Sequence, residues 1–257
     1  MKFVKKFETE QQFNNFTLDE NNTPNVSLIE ELYATGGIVY TNQIIPQTQH
    51  AYVEIGGIKW ATMNIGANSI TDGGLYFQWG DTQGYTETQV GTDKTFDFSD
   101  YKWTNDNGST FTKYNATDNK LTLDISDDAV NAAWGGNWRM PTINEYSTLA
   151  EAANCIFTED YQGSGVSGII FTDKTDNAKT LFLPFVGSVF SNNPNQINDS
   201  YSYYWTSTSA AECGIEWAQT VQFTEDDYDE NNNMLMNVEN CPNTRASGYV
   251  IRGILDE

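Results

Sequence analysis

Five carboxylates fall within the six residues Glu225-Asp226-Asp227-Tyr228-Asp229-Glu230. Like charges this close resist compaction unless solvent or a cation screens them, so the run reads either as a solvated loop or as a Ca²⁺ site built from hard oxygen ligands. The glycine that sharpens the turn of an EF-hand loop is missing from it. Trp217, Tyr228 and the run Asn231-Asn232-Asn233 belong to the same part of the chain. They combine rigid rings with adaptable amides, the chemistry that recognition loops use. The candidate ligand-contacting set is therefore Trp217, Asp226, Asp227, Tyr228, Asp229, Asn231, Asn232 and Asn233. Trp217 can also be read as a core residue and the others as plain loop.

Groups that could do covalent chemistry are few. Cys155, Cys213 and Cys241 are odd in number and match neither zinc nor redox spacing, and His50 is the single histidine, so a Cys/His metal site lacks ligands. The thiols read as free and buried, with a Cys213–Cys241 bridge open only in an oxidising medium. No basic residue adjoins Cys213 or Cys241 in sequence to lower a thiol pKa. His50 falls in a linker-like stretch, and no Asp/Glu pair stands out for glycoside hydrolysis. The expectation is a protein without catalytic residues and without a cofactor, Ca²⁺ being the one ion its acidic loop could hold.

Composition narrows the partners. The formal net charge is -22, from 35 acidic and 13 basic residues. The only basic cluster is Lys2, Lys5 and Lys6, whereas binding to phosphate backbones or anionic lipid needs clustered cations. Nucleic acid and membrane insertion are excluded as expectations. The start, MKFVKKFETEQQFNNF, lacks the apolar run of a secretion signal, and no 18-residue apolar span occurs in the chain.

The elements that must position these residues are mostly short strands. Aromatic residues make up 14% of the chain, against 19% charged, so burial rests on rings and β-branched residues and favours sheet over a helix bundle. Strands are expected at Tyr52–Ile55, Ile58–Ala61, Tyr76–Trp79, Thr180–Leu183, Tyr203–Thr206, Thr220–Phe223 and Tyr249–Arg252. One helix is expected over Asp127–Ala133, entered through Ser126 and stopped by Gly135-Gly136. A second runs from about Ile143 to Ala153, with Thr142 as N-cap and Glu145 completing a capping box. Two long polar loops, Asp81–Asn119 and Glu225–Asn243, keep aromatic residues that a disordered tract would lack. Residues 1–50 differ in texture: a capped helix near 9–16, short strands at Val26–Ile29 and Ile38–Tyr40, and a Gln/Thr-rich linker over Thr41–Gln49. The expected fold class is α+β, with a segment over 1–50 and a domain over 51–257.

Ordered motifs in the second part resemble the Fibrobacter succinogenes major paralogous domain, a C-type-lectin-like module. They are Gly57-Ile-Lys-Trp60-Ala-Thr-Met-Asn64-Ile-Gly66-Ala67, Gly74-Leu-Tyr-Phe-Gln-Trp79-Gly80, Asp127-Asp128-Ala129 leading into Trp134-Gly-Gly-Asn-Trp138-Arg-Met-Pro-Thr142, Leu183-Pro-Phe-Val-Gly187, Tyr203-Tyr-Trp-Thr-Ser-Thr208 and Gly248-Tyr-Val-Ile-Arg252-Gly-Ile-Leu255. Together they span about residues 52–255. Met63 stands where members of that family often carry a Cys. The resemblance implies a C-type-lectin-like domain of short, mostly antiparallel strands with two helices and long loops, its terminal strand lying beside an early one. It also implies that Ala211–Asn243 occupies the place where related lectin-like proteins of phages carry variable, ligand-contacting positions. The sugar loops of Ca²⁺-dependent lectins have only imperfect counterparts in Asn193-Pro194-Asn195 and Trp103-Thr104-Asn105-Asp106, which lack the carboxylate and the chain order.

Residues 1–50 are similar in texture to the N-terminal anchors of structural proteins in phages of gut Bacteroidota. The combined expectation is a virion protein, a head fibre, decoration or tail-associated adhesin. It would be joined to other virion proteins through residues 1–45 and would present the lectin-like domain to a host-surface glycan or protein. It would form a homo-oligomer, a trimer being usual for fibres. A bacterial cell-surface glycan- or protein-binding module is the alternative.

Overall fold

The computed structural model describes residues 50–190, 200–210, 212–224 and 242–257. The segment read from residues 1–49, the Asn193-Pro194-Asn195 turn, Cys241 and the candidate ligand residues Asp226, Asp227, Tyr228, Asp229, Asn231, Asn232 and Asn233 lie outside the described residues.

Within His50–Glu257, alternation and turn glycines build short antiparallel ladders. Strand β1 (Tyr52–Ile55) turns through Gly56-Gly57, both at positive φ, into β2 (Ile58–Asn64), with Ile55 opposite Ile58. Only glycine takes two such residues in succession without a Cβ penalty. Strand β2 is flanked on its other side by β12 (Arg252–Leu255), and β12 by β5 (Trp138–Arg139), giving the order β1-β2-β12-β5. The last strand therefore lies between two earlier ones, which closes the domain on itself. A second sheet, β6 (Ala153–Thr158), β7 (Gly168–Asp173) and β8 (Thr180–Pro184), is a plain meander. A third, β9 (Tyr201–Ser209), β10 (Trp217–Thr224) and β11 (Pro242–Thr244), carries the candidate site. The loop expected over Asp81–Asn119 contains a two-residue hairpin, β3 (Thr104–Asn105) with β4 (Thr110–Phe111).

Helix α1 is Ala129–Trp134 and α2 is Ile143–Ala152. Helix α2 starts as expected, with the Thr142 hydroxyl accepting from Glu145 N and the Glu145 carboxylate accepting from Thr142 N. Helix α1 begins two residues later than expected. Asp128 is its cap, accepting from Val130 N and Asn131 N, while Ile125–Asp127 form a separate 3₁₀ turn. The expected strand Tyr76–Trp79 is instead two isolated bridges, Tyr76 to Tyr85 and Phe77 to Tyr249. All four of its side chains are buried, so there is no alternation to continue a ladder, and Gly74 and Gly80 at positive φ turn the chain at either side. The expected strand Tyr249–Arg252 starts its ladder only at Arg252, because residues 249 and 250 bridge to two different partners.

Rings dominate the interior. Trp60, Tyr146, Phe171, Tyr204 and Phe223 belong to one apolar cluster, and Trp79, Tyr114, Trp138 and Trp205 to a second. A third, small cluster of Tyr101, Phe111 and Ala246 fastens the Asp81–Asn119 loop, which explains how so polar a segment stays folded. At the Trp-Gly-Gly-Asn-Trp junction, Trp134 and Trp138 meet edge to face at 5.1 Å between centroids, with Trp138 buried. His50, expected in a linker, stacks on Trp134 at 4.1 Å, and burial lowers its pKa.

Candidate ligand-binding face

Strand β9 alternates in exposure from Tyr201 to Tyr204 and is buried on both faces from Tyr204 to Ser207. Tyr204 lies over the first core cluster beside Val221, while Tyr201, Tyr203 and Trp205 share the opposite face with their β10 partners Thr224, Gln222 and Thr220. On that face the rings form a ladder: Trp205 to Tyr249 at 4.7 Å, Tyr249 to Tyr203 at 5.0 Å and Tyr203 to Tyr201 at 5.8 Å. Trp205 is fully buried and Tyr201 only half-buried, so the ladder runs from the core outward. Asn243 of β11 adds an amide, donating from Nδ2 to Thr220 Oγ1 at 2.9 Å.

The outer end of the ladder is also where two long segments are rooted. Tyr201 pairs with Thr224, so residues 191–199 enter, and residues 225–241 leave, at the same end of the β9–β10 pair. Residues 225–241 return at Pro242, opposite Gln219, where β10 carries a bulge. Trp217 sits at the far end of β10 from the start of that segment, opposite Thr244 and close to its return. It is half-buried, neither the core residue nor the fully presented ring that its type allows. The sequence reading did not single out the sheet face of Tyr201, Tyr203 and Trp205. The period-two pattern Tyr201, Tyr203, Trp205 was the available signal.

What holds this face is a set of buried polar tips bonded to backbone carbonyls. Arg245 is fully buried: Nε donates to Trp217 O at 3.0 Å, Nη1 to Tyr114 O at 2.9 Å, and the guanidinium lies 4.7 Å from the Trp79 ring centroid. Burial lowers its pKa, and no carboxylate among the described residues forms a salt bridge with it. Trp79 Nε1 donates to Thr206 O at 2.9 Å, Trp205 Nε1 to Phe77 O at 2.8 Å and Tyr204 Oη to Pro184 O at 2.8 Å. Arg252 bonds Asn64 Oδ1, Ala61 O and Phe182 O at 2.8, 2.8 and 3.1 Å, joining three strands. A carbonyl is present whatever side chain its residue carries, so these ties constrain backbone path and leave residue type free.

The reactive groups behave differently from one another. Cys155 is buried and its pKa is raised to about 11 by desolvation, which keeps the thiol protonated and inert near neutral pH. Cys213, expected to be buried, is an exposed free thiol in the turn between β9 and β10. Lys94, nearly buried, has its ammonium 3.6 Å from Asp81, 3.8 Å from the Asp100 carboxylate and 2.8 Å from Asp100 O. It neutralises the acidic part of the Asp81–Asn119 loop from within. Among the described residues no group of three or more His, Cys, Asp or Glu is placed to hold a metal ion, and Trp103-Thr104-Asn105-Asp106 forms one side of the β3–β4 hairpin.

No protein-family model, curated protein or solved structure matches this chain. Among the described residues the third sheet ends in a ring-lined face tied through backbone carbonyls.

Proposed function

We propose that this chain is a non-enzymatic virion structural protein of a phage, a head fibre, decoration or tail-associated adhesin, whose C-type-lectin-like domain presents a binding face to a glycan or protein of the host surface. The observation that carries the reading is the common root of residues 191–199 and 225–241 at the Tyr201–Thr224 end of the third sheet. A displayed face needs long segments whose residues can change while their anchor stays fixed, and anchoring through backbone carbonyls supplies that independence. The β1-β2-β12-β5 closure supports the same division, since the strands nearest both ends of His50–Glu257 pair in a different sheet.

On this reading residues 1–45 join the particle, and Trp217 with Asp226, Asp227, Tyr228, Asp229, Asn231, Asn232 and Asn233 contact the target. A peptide map of gradient-purified particles tests it. Peptides of this chain should band with the particles at constant stoichiometry through successive gradients. Their absence from particles, with the protein recovered on bacterial envelopes instead, would replace the reading by that of a bacterial surface module.

A further inference from the structure

Strand β6 is an open sheet edge. In the order β6-β7-β8 it pairs with β7 alone, in unbroken register from Ala153 opposite Asp173 to Thr158 opposite Gly168. Lys174 N donates to Ala152 O at the start of that pair. Hydrogen bonding alternates along an antiparallel ladder, so Asn154, Ile156 and Thr158 turn their N–H and C=O groups to β7, whereas Ala153, Cys155 and Phe157 turn theirs outward. Ala153 N closes the end of α2 on Leu149 O. The outward groups of Cys155 and Phe157 have no hydrogen-bond partner among the described residues.

The other sheet edges among the described residues are short or covered. In the first sheet β1 has four residues, Glu54 among them, and β5 has two. On the far side of the second sheet β8 ends on Pro184, and Phe182 O and Pro184 O accept from Arg252 and Tyr204. In the third, β11 has three residues beginning with Pro242, and β9 is bridged at Ser202, Tyr204 and Thr208 to Gly187, Val250 and Thr122. Short length, proline, charge and cover are the devices that keep an edge from pairing. Ala153-Asn-Cys-Ile-Phe-Thr158 has no proline, no charge and no covering element among the described residues, and its outer face presents Asn154 with Ile156, the latter 59% exposed.

We infer that β6 pairs antiparallel with β6 of a second copy of this chain across a two-fold axis, joining their two sheets into one. Turned half a revolution about the sheet normal, the row of outward N–H and C=O groups meets its own mates, so a second copy supplies a partner of matching length and face. Opposite residues share a face of the sheet and this rotation preserves faces, so one residue lies opposite itself. With Ile156 in that place, its exposed side chain is covered by its own copy, Asn154 stands opposite Thr158, and Cys155 and Phe157 exchange both of their backbone bonds. Net charge favours the same place: in a chain of -22, copies repel over most of their surface, and β6 itself carries no charged residue. The contact is isologous and closes as a dimer. The inference goes beyond the display reading and does not require it.

Residue-resolved hydrogen exchange and sedimentation velocity of the full chain, read together, test it. Ile156→Lys alters an exposed side chain and sets two ammonium groups opposite each other, the guard that natural edges use; Ile156→Thr keeps an uncharged, β-branched residue there. Wild type should protect the amides of Cys155 and Phe157 and show a dimerisation step. In Ile156→Lys those two amides should exchange about tenfold faster or more, and dimerisation should weaken by about tenfold or more, while the Asn154 and Thr158 amides bonded to β7 stay protected and show that the sheet is folded. Ile156→Thr should follow wild type. Unprotected Cys155 and Phe157 amides in wild type overturn the inference. So does protection that persists in Ile156→Lys, or protection lost there with sedimentation unchanged, the outcome expected if a segment of the same chain covers the edge. The particle peptide map is read separately, so either conclusion can fail without the other.

Discussion

Replacing Asp128 tests how the domain is held together. Its Oδ1 accepts from Val130 N at 2.9 Å and Asn131 N at 3.0 Å, capping α1, and its Oδ2 accepts from Met140 N at 2.8 Å, fixing the strand that leaves the Trp-Gly-Gly-Asn-Trp junction. The residue is nearly buried, and burial raises its pKa against the pull of those three donors, so its value lies in accepting N–H groups rather than in charge. Asp128→Ala removes the cap, about 0.5–2 kcal/mol, and leaves the Met140 N–H without a partner, about 1–3 kcal/mol. The sum is about 1.5–5 kcal/mol, which for a unit of this size lowers the melting temperature by about 3–20 °C. Asp128→Asn keeps the Oδ1 acceptor and turns an amide N–H₂ toward Met140 N–H, so it should cost only the second term, about 1–3 kcal/mol. Urea unfolding followed by tryptophan fluorescence measures both. If the alanine variant matches wild type within about 0.5 kcal/mol, or if asparagine costs as much as alanine, the split of the two oxygens' roles is wrong.

Five further outcomes follow. Trp217→Ser should cost about 1–2 kcal/mol, the worth of a half-buried ring. Arg245→Met should cost about 1–3 kcal/mol, because it leaves Tyr114 O without its donor and Trp217 O with only Ala210 N; a loss below about 0.5 kcal/mol in denaturant titrations would contradict the carbonyl-tie argument. Under native conditions iodoacetamide should label Cys213 and spare Cys155 until the protein is unfolded, as peptide mass spectrometry will read. Acid should destabilise the fold. Hydrogen bonds from Lys113 and Lys120 hold Asp124 below its ordinary value, and although burial pushes Glu145 up, bonds from Arg139 and Thr142 hold it lower still. Folded-state pKa values below the unfolded ones mean that this stability is present above pH of about 4.5 and is lost as pH falls further, while Asp128, shifted the other way, opposes the loss. A fluorescence titration that stays flat below that pH would refute the assignment. Finally, a chelator should leave the melting transition unmoved; a drop would place a structural Ca²⁺ on this chain.

Legibility in the sequence followed the kind of signal. Strand β1 matched residue for residue, because alternation ended on a Gly-Gly turn. Helix α2 was legible to within one residue at each end, because Thr142 and Glu145 are three apart. Helix α1 was misplaced because Ser126, Asp127 and Asp128 are all cap residues, and only the tertiary partner Met140 N selects Asp128. Strands β6 and β7 went unread since Ala-Asn-Cys-Ile-Phe-Thr alternates weakly and Gly168-Ile-Ile-Phe is buried on both faces at several positions. At the site, the acidic and amide-rich segment announces itself by composition. Arg245 does not: nothing local distinguishes a guanidinium that bonds two carbonyls more than twenty residues away from one that faces water.

That last point bears on why arginine is used twice in this interior. A buried guanidinium gains nothing from solvent, so a domain retains one where its fork links backbone that no regular ladder links, even though Nη2 of Arg245 finds no hydrogen-bond partner among the described residues. Arg252 does so between β8 and the sheet that holds β2 and β12, and Arg245 between the start of β10 and the Tyr114 turn. Neither depends on the partner residue's side chain, apart from the Asn64 amide. Substitutions accumulating around these points would leave the path of the chain intact, so long as the carbonyls stay in place. The described interior thus fixes the path of the chain largely through backbone carbonyls and places few demands on the side chains of the residues that carry them.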